Sequence, residues 1–162
     1  IHCGPTRPVG QFVTRGGSYM ASADKFRIEV TGRGGHGAYP HTTLDPIVLG
    51  ARIVLALQTL VSRESSPLDP AVVTVGSFHA GAKHNIISDR AHLQLTVRNT
   101  TPETRKILLD GIKRIAENMG RVAGLPEDKL PEVIVSDDSS PPMVNTPQLA
   151  RRLRVAWSES MG

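Results

Sequence analysis

The chain carries one cysteine, Cys3, in 162 residues, so an internal disulfide is excluded. That fits a reducing compartment, and the expected setting is the cytoplasm. Aromatic residues make up only 4% of the sequence, too few for the stacking platforms that hold single-stranded nucleic acid. The net charge is +4, yet the basic residues are scattered. Only Arg151, Arg152 and Arg154 cluster, as the solvated face of a terminal helix would, so nucleic acid is not an expected partner. No apolar run approaches the roughly 20 residues that a bilayer span requires, and a membrane partner is not expected either. The opening residues IHCGPTRPVG lack both an initiator Met and an apolar signal core, and they read as the start of a piece of a longer polypeptide. With 39% hydrophobic and 21% charged residues, the chain has the means to form one packed core of ordinary size.

What is present is period. Phe26, Ile28 and Val30 alternate with Lys25, Arg27, Glu29 and Thr31, which predicts a strand with one covered face over 24–31. GRGGHGAYPH, from Gly32 to His41, holds four glycines and a proline, which permit unusual backbone angles and forbid a regular element, so it is expected to be a loop. A helix is expected over 45–62, with Asp45 as N-cap and Pro46 at the first helical position. Ile47, Val48, Leu49, Ile53, Val54, Leu55, Leu57, Leu60 and Val61 surround most of it and leave a narrow polar stripe at Asp45, Arg52 and Thr59. A helix apolar on more than one side needs a partner beyond its own sheet, either a doubly covered core or an interface.

Strands are expected over 71–79 and 90–98, joined as a hairpin through the Gly81 region. Thr100, Thr101, Pro102 and Glu103 cap a second helix that runs to about Ala123 and stops at Gly124. Leu108, Ile112, Ile115, Ala116, Met119, Val122 and Ala123 form its one apolar face. EVIVSD, residues 132–137, makes a fourth strand, SSPP a linker, and NTPQLARRLRVAWSESMG the beginning of another helix. The order βαββαβ is that of a ferredoxin-like α+β fold, a four-stranded antiparallel sheet with two helices on one face. Right-handed crossovers put strand 71–79 at an edge. An open edge carrying Val72, Val73, Thr74 and Val75, beside an unusually apolar helix, points to a homodimer through strand 71–79 and helix 45–62.

Such a fold hosts many activities, so the loops must carry the chemistry. VTGRGGHGAYPHTTLDPI, from Val30 to Ile47, resembles the lid motif of the M20 metallopeptidase and aminoacylase family, in which a strand enters a Gly-rich turn, a histidine and a Pro-His before a helix. HAGAKHNIISDRAHLQLTVR, from His79 to Arg98, is similar to the family's Gly, Asn-Val-Ile-Pro and Val-Arg pattern. IHCGP resembles its Leu-His-x-x-Pro segment at a metal ligand. The most similar branch contains hippurate hydrolases, N-acyl-amino-acid amidohydrolases and auxin-conjugate hydrolases. Ser88 stands where the family usually has proline, and Ile1 where leucine or alanine is frequent; neither departure alters a polar functional group.

The resemblance implies a lid or dimerisation domain over 23–138, flanked by catalytic-domain segments at 1–22 and 139–162. It implies a metal-dependent amidohydrolase acting on N-acyl amino acids, with two divalent ions, Zn or Mn, in the parent enzyme and none stably bound by this chain, which alone would be inactive. His36 would reach from the lid into the partner subunit's active site and donate to the oxyanion formed during amide hydrolysis. His2 would be a metal ligand, Asn85 would present its amide to substrate, and Arg98 would pair with a substrate carboxylate. Taken locally, the same residues allow a solvent-exposed loop histidine at 36, an unremarkable terminal histidine at 2, a turn-fixing Asn85 and a strand-end Arg98. His41 is expected to order the loop, and His79, His84 and His92 have no spacing that defines a metal site. Cys3 lacks a nucleophile arrangement. A dipeptidase or other exopeptidase of the family, and a non-catalytic ferredoxin-like dimerisation or binding module, remain as alternatives. An RNA-recognition domain shares the element order, but strand 90–98 has no aromatics to stack bases. The Gly32–Gly35 stretch is not followed by the Gly-Lys-Ser or Gly-Lys-Thr of a phosphate loop.

Overall fold

The computed structural model describes Gly4 and residues 6–161; His2 and Cys3 lie outside the described residues. In chain order the elements are β1 (Gly17–Met20), β2 (Asp24–Thr31), β3 (Gly35–His36), α1 (Pro46–Thr59), β4 (Ala71–Ala80) and β5 (Ile86–Ile87). They are followed by β6 (Arg90–Asn99), α2 (Pro102–Val122), β7 (Glu132–Val135), β8 (Met143–Asn145) and α3 (Pro147–Met161). Residues 21–142 form one compact unit, and the segments on either side form another.

The larger unit is the expected α+β arrangement. β4, β6, β2 and β7 lie side by side in that order, antiparallel throughout, so β4 occupies an edge. Alternation decides the faces. Phe26, Ile28 and Val30 of β2, with Ala91, Leu93, Leu95 and Val97 of β6, are buried on one face, where α1 and α2 cover them. Lys25 and Arg27 of β2 and His92, Gln94 and Arg98 of β6 stand exposed on the other.

α1 begins where Asp45 accepts hydrogen bonds from the main-chain N–H groups of Ile47 and Val48, at 2.8 and 3.3 Å, satisfying two of the helix's free donors. Pro46, Leu49, Gly50, Ile53 and Leu57 recur at helical spacing and are buried. The ring of Phe78 on β4 packs against Gly50, where a side chain would collide with it. The helix does not stop at Thr59. It widens into a π-type turn over Leu60–Glu64, and the stretch Pro46–Glu64 is long and apolar enough, by length and composition alone, to cross a membrane. This corrects the expectation that no such run exists. Its physical role here is that of a core helix, since Ile53, Leu57 and Leu60 are fully buried. Its outer side keeps Ile47, Val48, Leu55 and Val61 exposed, and the partly exposed Phe78 of β4 packs beside it against Gly50, whereas exposed Val72 of β4 pairs with Arg98 and faces the open side of the sheet. The apolar surface expected to want a second partner is therefore present and uncovered in the single chain.

α2 is capped by Thr101, whose hydroxyl accepts from the Thr104 N–H at 3.2 Å. It buries Leu108, Ile112, Ile115 and Ala116 and turns a charged side outward, and Gly124 ends the helical region with a φ of 79°. An ion pair to a buried carboxylate joins helix and sheet. The Asp24 carboxylate, 1% exposed, receives Arg105 through Nη2 at 2.7 Å and through Nε at 3.1 and 3.2 Å. The hydrogen bond to Asp24 holds the Arg105 guanidinium above its ordinary value.

Three features depart from the sequence expectation. The edge strand β4 changes register between Val75 and Ser77, a bulge at Gly76, so its edge is not one continuous ladder. The segment 32–41 contains the short strand β3, which pairs with β5. In the smaller unit β1 pairs with β8, while Phe12 and Trp157 lie 5.5 Å apart between ring centroids.

The two faces of α1 differ in what they contribute. Leu57→Ala, at a position with no exposure, should cost about 2–5 kcal/mol in urea unfolding, whereas Leu55→Ala, at 72% exposure, should change the stability of the dilute chain by less than about 0.5 kcal/mol. Equal losses at the two positions would show that the helix is not seated this way.

Candidate functional site

The candidate site hangs from one end of the sheet, where β2 leaves and β6 begins. Gly32 N–H donates to the Asp89 carbonyl at 2.8 Å, and Arg33 and Leu44 exchange hydrogen bonds at 2.9 and 3.0 Å. Gly35 and His36 then pair with Ile87 and Ile86, and Gly37 N–H reaches the Asn85 carbonyl at 2.7 Å. The loop is thus stitched on both sides by main-chain bonds.

The glycines serve this stitching. Gly32, Gly34, Gly35 and Gly37 are not among the glycines with positive φ, so the freedom of angle they permit is not what they supply here. A Cβ on Gly32 would lie 2.1 Å from the Leu44 carbonyl oxygen, and one on Gly34 would lie 2.7 Å from that of Ile87. Absence of a side chain allows backbone to meet backbone.

His36 sits exposed at the end of this pairing. Its Nδ1 accepts from the Ala38 N–H at 3.1 Å, and its carbonyl accepts from the Tyr39 N–H at 2.9 Å. The Tyr39 ring lies 5.9 Å from the imidazole at an interplanar angle of 57°, and His41 meets the other side of that tyrosine at 6.3 Å and 70°. Behind them, the Thr42 and Thr43 hydroxyls donate to the Tyr39 and Pro40 carbonyls at 2.9 and 2.7 Å.

Asn85 is brought to the same place. Its carbonyl holds Gly37, while its side-chain amide is on an exposed residue and makes no hydrogen bond to another described residue. Arg98 is elsewhere. It lies opposite Val72 near the far end of β6, where its Nη1 is 3.4 Å from the Ser22 carbonyl. Arg98 lies eight positions beyond Arg90, so the strand carries it about 26 Å from the His36 end. Within one chain, His36 and Asn85 meet and Arg98 does not join them.

Across the open sheet face His79 stands opposite His92, and His92 opposite Glu29; His92 Nδ1 hydrogen-bonds Glu29, which also pairs with Arg27 at 2.7 Å. Among the described residues no group of three or more His, Cys, Asp or Glu could hold a metal ion. The chemistry these residues offer is hydrogen-bond donation and charge pairing. Tyr39 was missed in the sequence, although an aromatic three residues from one histidine and two from another was a visible signal.

Residues 21–123 match the family model described as a peptidase dimerisation domain. The chain is 36% identical over 149 residues to thermostable carboxypeptidase 2 of Saccharolobus solfataricus, covering 92% of this chain and 37% of that protein. It is 38% identical over 119 residues to N-acetyldiaminopimelate deacetylase of Bacillus subtilis, covering 74% of this chain and 32% of that protein. Among solved structures, the Bacillus subtilis YXEP protein, a dinuclear metal-binding peptidase from the M20 family, superposes with a TM-score of 0.68 at 26% identity, over 98% of this chain and 37% of that one. The chain therefore spans about a third of the length of these relatives.

The contact role of the glycines has a measurable result. Gly34→Ala should break the β3–β5 pairing and raise the exchange rate of the Gly37 amide by up to about tenfold, the loss of one hydrogen bond, with the Leu93 amide unchanged. Unaltered exchange at Gly37 by native-state hydrogen exchange would refute the close-approach account.

Proposed function

Because this chain belongs to the M20 peptidase dimerisation-domain family, we propose that it is the lid of a metal-dependent amidohydrolase, pairing two copies and lending His36 to the active site of the partner. The observation that carries this reading is the placement of uncovered apolar surface relative to polar groups. Ile47, Val48 and Leu55 of α1 and Phe78 of the edge strand β4 are exposed on the helix side of the sheet, with His36 and Asn85 toward one end of that edge and Arg98 toward the other. Two copies joined through antiparallel β4 strands about a twofold axis would bring the His36 end of one beside the Arg98 end of the other. A site using all three donors is then completed only between subunits.

In this reading the substrate is an N-acyl amino acid. A substrate carboxylate pairs with the fork of donors on Arg98, the Asn85 amide fixes the acyl group, and the His36 imidazole donates to the oxyanion as the amide carbonyl becomes tetrahedral. The divalent ions, zinc or manganese, belong to the longer polypeptide, and His2 is the one ligand this chain would offer. Residues 23–138 act as the lid, with 1–22 and 139–162 leading into the catalytic domain. The single cysteine accords with a cytoplasmic enzyme. Similarity to a deacetylase favours amide hydrolysis of an acylated amino acid. Similarity to a carboxypeptidase favours the second reading, an exopeptidase with the same lid.

Sedimentation of the chain should show a dimer, and Leu55→Asp should weaken it by about tenfold or more, the effect of placing a charge in an apolar contact. A wild-type chain that stays monomeric would refute the pairing. In the longer polypeptide, His36→Ala should lower kcat on N-acyl amino acids by about 10²–10³ with little change in KM. Mixing that variant with one disabled only in its catalytic domain should restore activity, because each mixed pair holds one intact composite site. No restoration would place His36 in its own subunit's site. The chain alone, with added zinc or manganese, should hydrolyse nothing.

A further inference from the structure

We propose that the turn after His36 locks its imidazole in a single tautomer, with the Ala38 main-chain N–H as the lock and Tyr39 as a positioning residue. A neutral imidazole has one N–H and one bare nitrogen. The nitrogen facing the Ala38 N–H, at 3.1 Å, must be the acceptor, because a main-chain amide offers only a proton there. The ring proton therefore resides on Nε2, which has no hydrogen-bond partner among the described residues and is left as a donor of fixed direction.

The lock is built from neighbours. The Gly37 N–H is tied to the Asn85 carbonyl at 2.7 Å, which holds the main chain just before the Ala38 amide. The Tyr39 N–H returns to the His36 carbonyl at 2.9 Å and closes the turn. The Tyr39 ring stands beside the imidazole on one side, 5.9 Å between centroids, and His41 stands beside Tyr39 in turn, so the imidazole has an aromatic neighbour on that side of its rotation. Asn85 thus contributes through its backbone as well as through any contact of its amide. The meaning of the lock for catalysis rests on the reading of His36 as an oxyanion donor. A donor already aimed needs no reorganisation when charge develops.

The tautomer can be read in the chain itself, without substrate. Nitrogen-15 NMR at about pH 8.5, above the ordinary histidine range, should show the His36 Nε2–H form exceeding the Nδ1–H form by at least about tenfold. His84, an exposed loop histidine, serves as the internal reference and should show a smaller excess. A scalar coupling across the hydrogen bond should link the Ala38 amide nitrogen to His36 Nδ1. Tyr39→Leu should abolish that coupling and bring His36 to the His84 ratio, while Tyr39→Phe should preserve both, with the amide spectrum of each variant reporting that the sheet is intact. Absence of the coupling in the wild-type chain, or a His36 ratio equal to that of His84, would overturn the lock; a coupling that survives Tyr39→Leu would overturn the role of Tyr39. Should His36→Ala leave amide hydrolysis intact while the coupling is present, the catalytic reading falls and the tautomer assignment stands.

Discussion

The seam between α1 and the sheet is the constraint on which the other features depend. Ile53, Leu57 and Leu60 are fully buried, as are Ile28, Val30, Leu93 and Val97 of the strands beneath, and each such side chain contributes about 1.5–3 kcal/mol relative to exposure. Because α1 and α2 share one sheet face, the opposite face is left to Lys25, Arg27, His92 and Arg98. Because α1 lies over β4 and β6, its second apolar side emerges at the sheet edge instead of being covered by α2. Uncovered apolar surface and an open strand edge are thus the result of one packing choice.

The same seam fixes where the loop can hang. β2 and β6 pair through to Thr31 and Arg90, and the chain beyond them continues as β3 and β5. His36 is held by a short extension of a rigid sheet, unlike a residue on a free loop. Main-chain bonds stitch the loop to its neighbours, the His36 Nδ1 and the Thr42 and Thr43 hydroxyls add side-chain bonds within it, and the close approaches at Gly32 and Gly34 require the absence of a side chain. His36, Tyr39 and Asn85 stand on the exposed side of this loop.

Much of the fold was legible because it rests on period. The alternation of Phe26, Ile28 and Val30, and of Ala91, Leu93, Leu95 and Val97, set both the strands and their buried face, while Asp45–Pro46 and Thr101–Pro102 marked helix starts that the structure reproduces. β1 and β8 were illegible because three or four residues carry no period, and their pairing spans more than a hundred residues of chain. The purpose of Gly32 and Gly34 was also hidden, since composition cannot distinguish a glycine needed for its angles from one needed for its lack of bulk. At the candidate site the motif brought His36 and Asn85 into view together. Their distance from Arg98 follows from strand length and pairing, since Arg98 lies toward the far end of β6 from the loop.

The bulge at Gly76 has a consequence for what can add to β4. An extended segment laid along that edge meets a ladder that changes step partway, with Val72 to Val75 in one phase and Ser77 to Ala80 in another. An ordinary straight strand from an unrelated protein can satisfy one half and must leave the other unmatched. The kink divides the rim of the sheet into two short runs, which limits how far casual β-addition can propagate along it.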